Sequence, residues 1–82
     1  MVFNRIFEYV KDTKFKIIYE ENKVNIINYK QISDFTDKKI DILTDKYLIN
    51  IVGTSLAINK MLSDELLING NIEGIYFKKI DE

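Results

Sequence analysis

The feature that most constrains this chain is an alternation of apolar and polar residues that recurs between residues 39 and 77. Such alternation is typical of β-strands that are half buried against a core, because successive side chains of a strand point to opposite faces. Ile40 and Ile42 therefore share one face of a strand, and Ile49 and Ile51 repeat the arrangement. The pattern predicts a small β domain, and the alternation itself carries no chemistry.

Polar turns divide this region, so the sequence predicts an all-β domain, an antiparallel meander that forms a small sandwich, roll or barrel. The predicted strands span residues 14–19, 24–29, 32–35, 40–44 and 47–52, with two or three more after them. Gly53, Thr54 and Ser55 are expected to separate one pair of strands, and Ser63 with Asp64 the next pair. The whole chain, residues 1–82, is expected to be one domain with its β region over 14–80.

Two segments of the β region echo each other seventeen residues apart. Residues 49–53 and 66–70 both read apolar-x-Ile-x-Gly. Two copies are too few for a solenoid, which needs at least three stacked units. We interpret them as two similar strand pairs whose glycines allow a positive φ angle or a bulge. Asn69 and Gly70 fit a type I′ hairpin turn or a kinked continuous strand equally well.

Residues 2–11 are the one stretch with helical spacing, and the sequence predicts a short N-terminal α-helix there. The apolar side of this helix is the candidate interaction face, formed by Phe3, Ile6, Phe7 and Val10. Two interpretations remain open, because the face either covers the sheet or binds a partner. Arg5 and Lys11 are offset by Glu8, so the polar side is not strongly cationic, which favours a protein partner over a lipid surface.

Composition excludes several classes of function. The chain has no cysteine and no histidine, so disulfides, Cys/His zinc sites and Ser-His-Asp catalysis are ruled out. A net charge of −1 without a basic stripe argues against nucleic-acid binding. No apolar run approaches the roughly 20 residues that span a bilayer, and no signal peptide is recognisable, so we expect a soluble intracellular protein.

Few residues are candidates for chemistry. Asp34, Asp37, Asp41 and Asp45 fall at spacings of three or four, but their context predicts turns and strands rather than one helical face. The same stretch lacks the central glycine and terminal glutamate of a calcium loop. The tyrosines are expected to pack in the core or on the sheet, with a contact role as the alternative. We therefore expect no enzyme, and no catalytic, cofactor-binding or metal-binding residues.

Four segments carry a resemblance to a known family. Residues 26–32, IINYKQI, are similar to the pattern Ile-x-Asn-His-Lys/Arg-Gly-Ile, and residues 40–44, IDILT, match Ile-x-Ile-x-Thr. Residues 49–58 and 65–77 match the two glycine-bearing units that follow, in which Gly53 is one of the most specific positions. On this basis residues 24–77 resemble the YabP/YqfC family of small sporulation proteins of endospore-forming Firmicutes. YqfC is the closer branch, although residues 32–35, ISDF, are similar to the YabP branch.

The resemblance implies a non-enzymatic protein made in the mother cell during spore formation. It implies an interaction or structural module that acts with a YqfD-like membrane protein at the mother-cell side of the forespore, or with itself as a homo-oligomer. The expected location is the mother-cell cytoplasm, at the forespore membrane only through a partner and without direct membrane insertion. Tyr29 and Gln31 replace the His and Gly of YqfC-like sequences, which leaves a divergent paralogue open. The alternative function is a small β-barrel that binds nucleic acid or a small ligand.

Overall fold

The computed structural model describes residues 14–80, which form six antiparallel strands in one open sheet. The strands are β1 (Lys16–Glu20), β2 (Lys23–Ile27), β3 (Gln31–Phe35), β4 (Lys39–Leu43), β5 (Tyr47–Met61) and β6 (Glu65–Lys79). Their order across the sheet is β1-β2-β6-β5-β4-β3. No helix occurs between residues 14 and 80. The predicted helix over 2–11 and its face of Phe3, Ile6, Phe7 and Val10 lie outside the described residues.

The all-β prediction is confirmed for these residues, but the predicted architecture is wrong. There are not two packed sheets, and β1 and β3 at the two ends of the strand order are not paired, so no barrel closes. The sheet is not a simple meander either, because β2 pairs with β6 rather than with β3. The physical reason is that β5 and β6 form one long central hairpin, and each of the two short hairpins pairs with a different strand of it.

The central hairpin runs straight through Gly53, which was expected to separate two strands, and through Gly70, for which a continuous strand was one of the alternatives. β5 and β6 each have 15 residues, and they pass through Gly53 and Gly70 respectively. The register shifts between Val52 and Gly53, and again between Thr54 and Ala57. These irregularities are β-bulges, which bend a strand and increase its twist without ending it. The predicted strand boundary at residues 53–55 is therefore wrong.

The bulges also explain how the apolar side chains of β5 stay on one face. Ile49 and Ile51 occupy odd positions, whereas Leu56 and Ile58 occupy even ones. All four belong to the core or pack against it, because the residues inserted around Ser55 change the phase of the strand. Ser55 itself has a φ angle of 55°, which is in the left-handed region.

The core lies on one face of a strongly curved sheet. Its fully buried members are Val24, Ile26, Ile40, Ile42, Ile49, Ile51, Leu66 and Ile68. Each fully buried side chain of this kind contributes about 1.5–3 kcal/mol. Curvature is required because Phe15, just before β1, has its ring centroid 5.5 Å from that of Tyr47 at the start of β5. In a flat sheet β1 and β5 would lie about 14 Å apart, since two strands separate them.

The sheet is built from two halves with equivalent strand pairing. The β1–β2 hairpin pairs with the first five residues of β6, and the β3–β4 hairpin pairs with the first part of β5. The backbone N–H of Gly70 donates to the carbonyl of Asn22, just before β2, and that of Gly53 donates to the carbonyl of Lys38, just before β4. The sequence echo between residues 49–53 and 66–70 thus falls on equivalent positions of the two halves.

Candidate protein-interaction surface

The described residues assemble no cluster of acidic groups that would hold a metal ion. Asp34 and Asp41 face each other across β3 and β4, with the Lys39 Nζ 3.7 Å and 3.9 Å from their carboxylates. Asp45 lies 3.1 Å from Lys30. These side chains are mostly half exposed, so the pairs contribute little to stability. Asp34 and Asp41 therefore lie on strands and Asp45 in a turn, as the sequence predicted, and all three form surface ion pairs.

Three aromatic rings meet at the open end of the central hairpin, and we call them the aromatic cluster: Phe15, Tyr47 and Phe77. The Phe15 and Tyr47 rings contact edge to face, and the Phe77 ring centroid lies 6.2 Å from each of the other two. Such aromatic pairs are favourable beyond the area that they bury. Phe77 remains 53% exposed, so the cluster presents an aromatic surface to solvent.

Three separate elements bring the aromatic cluster together. Tyr47 begins β5, directly after a turn in which the buried Thr44 hydroxyl accepts from the backbone N–H of Tyr47. Phe77 lies opposite Ile49 on the neighbouring strand β6. Phe15 comes from the far end of the strand order and reaches the pair only through the curvature of the sheet. The sequence reveals the three aromatic residues, but the alternation pattern gives no sign that they meet.

A cavity of about 430 Å³ lies beside the aromatic cluster. The described residues that line it are Lys14, Phe15, Asp45, Lys46 and Tyr47. Its volume is within the roughly 300–1,000 Å³ range of binding pockets in proteins. The lining combines two aromatic rings with charges of both signs, which suits an amphipathic segment better than a polyanion.

The sheet has two edge strands of different character. Within the described chain β1 and β3 each pair with one neighbour only, so each has one open edge. β3 carries a bulge between Ile32 and Asp34, whereas β1 pairs with β2 in continuous register. Bulges and charges are the means by which proteins block the addition of further strands. The open edge of β1 is consequently the better template for another strand.

Exposed apolar side chains are spread over the surface rather than gathered in one patch. The large ones are Ile18, Tyr19, Phe35, Met61, Leu62, Tyr76 and Phe77. The tyrosines differ in burial. Tyr29 is buried and its hydroxyl donates to the carbonyl of Leu62, whereas Tyr19 and Tyr76 are exposed.

Among residues 14–80 there is no helix long and apolar enough to cross a membrane. The fold and the surface of residues 14–80 together define a small all-β protein, a curved antiparallel sheet with an exposed aromatic cluster. A model of the YabP family matches residues 12–82, and the chain therefore belongs to the YabP family. This membership is consistent with a sporulation-associated protein. No significant match was found among curated proteins or among solved structures.

Proposed function

We propose that this protein is a non-enzymatic interaction module of spore formation that binds a membrane protein at the mother-cell side of the forespore. In this proposal the protein resides in the mother-cell cytoplasm and reaches the forespore membrane through that partner. The observation that carries the proposal is the exposed aromatic cluster with its adjacent cavity, on a chain of the YabP family. Family membership supports the sporulation context, and the aromatic cluster supports the contact role.

The aromatic cluster has the composition of a binding hot spot. Aromatic residues are enriched at the centres of protein interfaces, where charged residues are depleted and form the rim. Here Tyr47 and Phe77 form the apolar centre, and Lys14, Lys46 and Asp45 surround the cavity beside it. A segment of the partner that inserts an apolar side chain beside Phe77 would bury the exposed half of this ring.

The candidate interaction face of residues 3–10 belongs to the same proposal. Val10 comes five positions before Phe15, so covalent geometry keeps their Cα atoms within about 18 Å of each other. We include Phe3, Ile6, Phe7 and Val10 in the contact with the same partner. Their contribution is tested separately from that of Phe77.

The test is affinity capture of the tagged full chain from membranes of sporulating cells, solubilised in mild detergent. We expect the wild-type chain to recover one membrane protein, and Phe77→Ser to reduce recovery at least tenfold. Phe35→Ser is the matched control, because Phe35 is 48% exposed at the far edge of the sheet, and it should leave recovery unchanged. A double change, Phe3→Ser with Phe7→Ser, reports on the N-terminal face. Absence of any membrane protein from the wild-type capture would refute the proposal.

The captured protein also decides the branch of the family. We propose the YqfC-like branch on residues 26–32, and a YqfD-like partner is expected for this branch. Recovery of a YabQ-like protein would instead place the chain in the YabP branch. Circular dichroism of each variant must match the wild-type spectrum, so that loss of capture is not loss of fold.

Binding of a small ligand is the second candidate, and the cavity of about 430 Å³ favours it. Nucleic acid binding, the other part of this alternative, lacks a comparable observation. Fluorescence titration with single-stranded oligonucleotides at low salt tests nucleic acid binding directly. Tight binding that weakens with salt would replace the partner hypothesis.

A further inference from the structure

The sequence of the edge strand β1 is self-complementary: two copies that pair antiparallel place favourable side chains opposite each other. Its residues are Lys16, Ile17, Ile18, Tyr19 and Glu20. When two copies of β1 pair antiparallel about Ile18, Lys16 of each copy lies opposite Glu20 of the other. In the same register Ile17 lies opposite Tyr19, and the two Ile18 side chains meet at the centre. Opposite charges and aromatic–β-branched pairs are the cross-strand contacts that stabilise antiparallel sheets.

The faces of the strand agree with this register. Ile17 and Tyr19 lie opposite Ile26 and Val24 of β2, so both point to the core face. Ile18 lies opposite Asn25 and points to the outer face together with Lys16 and Glu20. Antiparallel pairing with a second copy keeps both sets on their own faces, because directly opposite residues share a face.

Ile18 and Tyr19, which would make two of these contacts, are exposed on β1. Ile18 is 51% exposed and Tyr19 is 55% exposed, although Tyr19 points to the core face. The Glu20 carboxylate lies 4.0 Å from the Lys23 Nζ, and both side chains are more than half exposed, so this pair is weak. It therefore presents no barrier to a new pairing of Glu20.

The equivalent strand of the other half lacks these properties. Self-pairing of β3 about Ser33 would place Ile32 opposite Asp34 and Gln31 opposite Phe35, which are mismatched pairs. A bulge interrupts β3 at the same place, and Asp34 is held by Lys39. The two halves share their strand pairing, but self-complementarity is confined to β1.

We propose that the chain forms a two-fold symmetric homodimer through antiparallel pairing of β1 with β1 of a second copy. The six described strands of each copy would then form one continuous sheet, with Ile18 on the symmetry axis. Edge addition supplies main-chain hydrogen bonds for affinity and side-chain pairs for specificity. A contact of five residues per chain is small, so the dimer is expected to be in concentration-dependent exchange with the monomer.

The proposal is tested by sedimentation of the full chain over a wide concentration range, with charge reversal at the strand ends. Lys16→Glu places one pair of like charges at each end of the dimer, because residue 16 of each copy lies opposite residue 20 of the other. Glu20→Lys has the same effect. We expect either change to raise the dimer dissociation constant at least tenfold, which corresponds to about 1.4 kcal/mol. The double variant, Lys16→Glu with Glu20→Lys, restores opposite charges and should dimerise as the wild-type chain does.

Matched control variants, and a mixture of the two single variants, distinguish loss of β1 pairing from loss of fold. Lys38→Glu and Glu21→Lys make the same charge changes at exposed turn positions and should leave the constant unchanged. A mixture of the Lys16→Glu and Glu20→Lys single variants should form a heterodimer, since each supplies the charges that the other needs. A monomeric wild-type chain, or a dimer that neither reversal weakens, would overturn the proposal.

Cross-linking reads the register directly, because the chain has no cysteine of its own. Ile18→Cys places two thiols together at the symmetry axis, and a short bismaleimide should link them, whereas Ser33→Cys at the centre of β3 should remain unlinked. Preferential linkage of Ser33→Cys would contradict the assignment. The proposal is independent of the membrane partner, since Phe77→Ser should leave both sedimentation and cross-linking unchanged.

Discussion

Two glycines of the central hairpin differ in what surrounds them, although both have backbone conformations that other residues adopt. A Cβ at Gly53 would overlap the carbonyl oxygen of Asn71 and come within 3.2 Å of the Ile72 Cα. The three heavy atoms nearest to a Cβ at Gly74 would all belong to the Tyr76 side chain, the closest at 2.7 Å. The obstacle at Gly53 is thus backbone of the neighbouring strand, whereas the obstacle at Gly74 is an exposed side chain that is free to rotate away.

We therefore expect Gly53→Ala to lower the free energy of unfolding by about 1–3 kcal/mol, because β5 and β6 must separate to admit the methyl group. Gly74→Ala should cost less than about 1 kcal/mol, since displacement of Tyr76 is offset by the reduced entropy of the unfolded chain. Urea denaturation of the two variants measures the difference. Equal stability of both variants would show that the strands around Gly53 are not held as closely as described.

Burial of single residues was largely predictable from the alternation. Ile49 and Ile51 were placed on one face by the period of two, and both are fully buried. Phe77 follows Ile75 in the same phase, yet Phe77 is 53% exposed while Ile75 packs against the core. The alternation predicts the face of the sheet on which a side chain lies. Whether other residues cover that side chain depends on its position along the strand. For this reason the aromatic cluster escaped prediction.

At the level of secondary structure elements, two turns contain the same threonine hydrogen bonds but differ in how deeply the threonine is buried. In each, a threonine hydroxyl accepts from the backbone N–H three residues later: Thr44 from Tyr47 and Thr36 from Lys39, both at 3.0 Å. In each, the threonine N–H also donates to the carbonyl of that later residue. Thr44 is only 2% exposed, whereas Thr36 is exposed, so only the first hydroxyl is shielded from water.

Replacement of each threonine by valine tests whether the hydroxyl hydrogen bond contributes more to stability when the hydroxyl is buried. Thr44→Val leaves the N–H of Tyr47 without its acceptor in a partly buried turn and should cost about 1–3 kcal/mol. Thr36→Val should change stability by less than about 0.5 kcal/mol, because water replaces the hydroxyl at an exposed site. Chemical denaturation of both variants provides the comparison. An equal loss in both would mean that the hydroxyl acts through turn geometry and not through burial.

The boundaries of the elements were less predictable than their existence. Glycine followed by Thr54 and Ser55 has the composition of a turn, and composition alone favours a break there. The structure continues β5 through Gly53 because extra residues around Ser55 are absorbed as a bulge. The evidence for this was the change from odd to even apolar positions between Ile51 and Leu56, which a bulge produces and which a turn does not require. A phase change of this kind is readable in a sequence.

For the molecule as a whole, the order of the strands lay beyond the sequence pattern. Alternation assigns a face to each residue, but it does not choose which strands become neighbours. β2 and β4 both read Lys-apolar-x-Ile-x and are buried in the same pattern, so either fits beside either long strand. The choice depends on long-range pairing across the bent hairpin, which also brings Phe15 to Tyr47. The candidate interaction face at 3–10 was predictable as an amphipathic pattern and stays a prediction.

The equivalence of the two halves leads to a prediction about cooperativity. Ile26 and Ile42 occupy matching positions of β2 and β4, and both are fully buried. Ile26→Val and Ile42→Val should each cost about 0.5–1.5 kcal/mol, while Ile18→Val at an exposed site should cost less than about 0.5 kcal/mol. Because β5 and β6 run through both halves, either core change should weaken both halves equally. Hydrogen exchange should show one common loss of protection in β2 and β4 for each variant. Loss confined to the mutated half would show that the halves unfold separately, and that the long hairpin does not couple them.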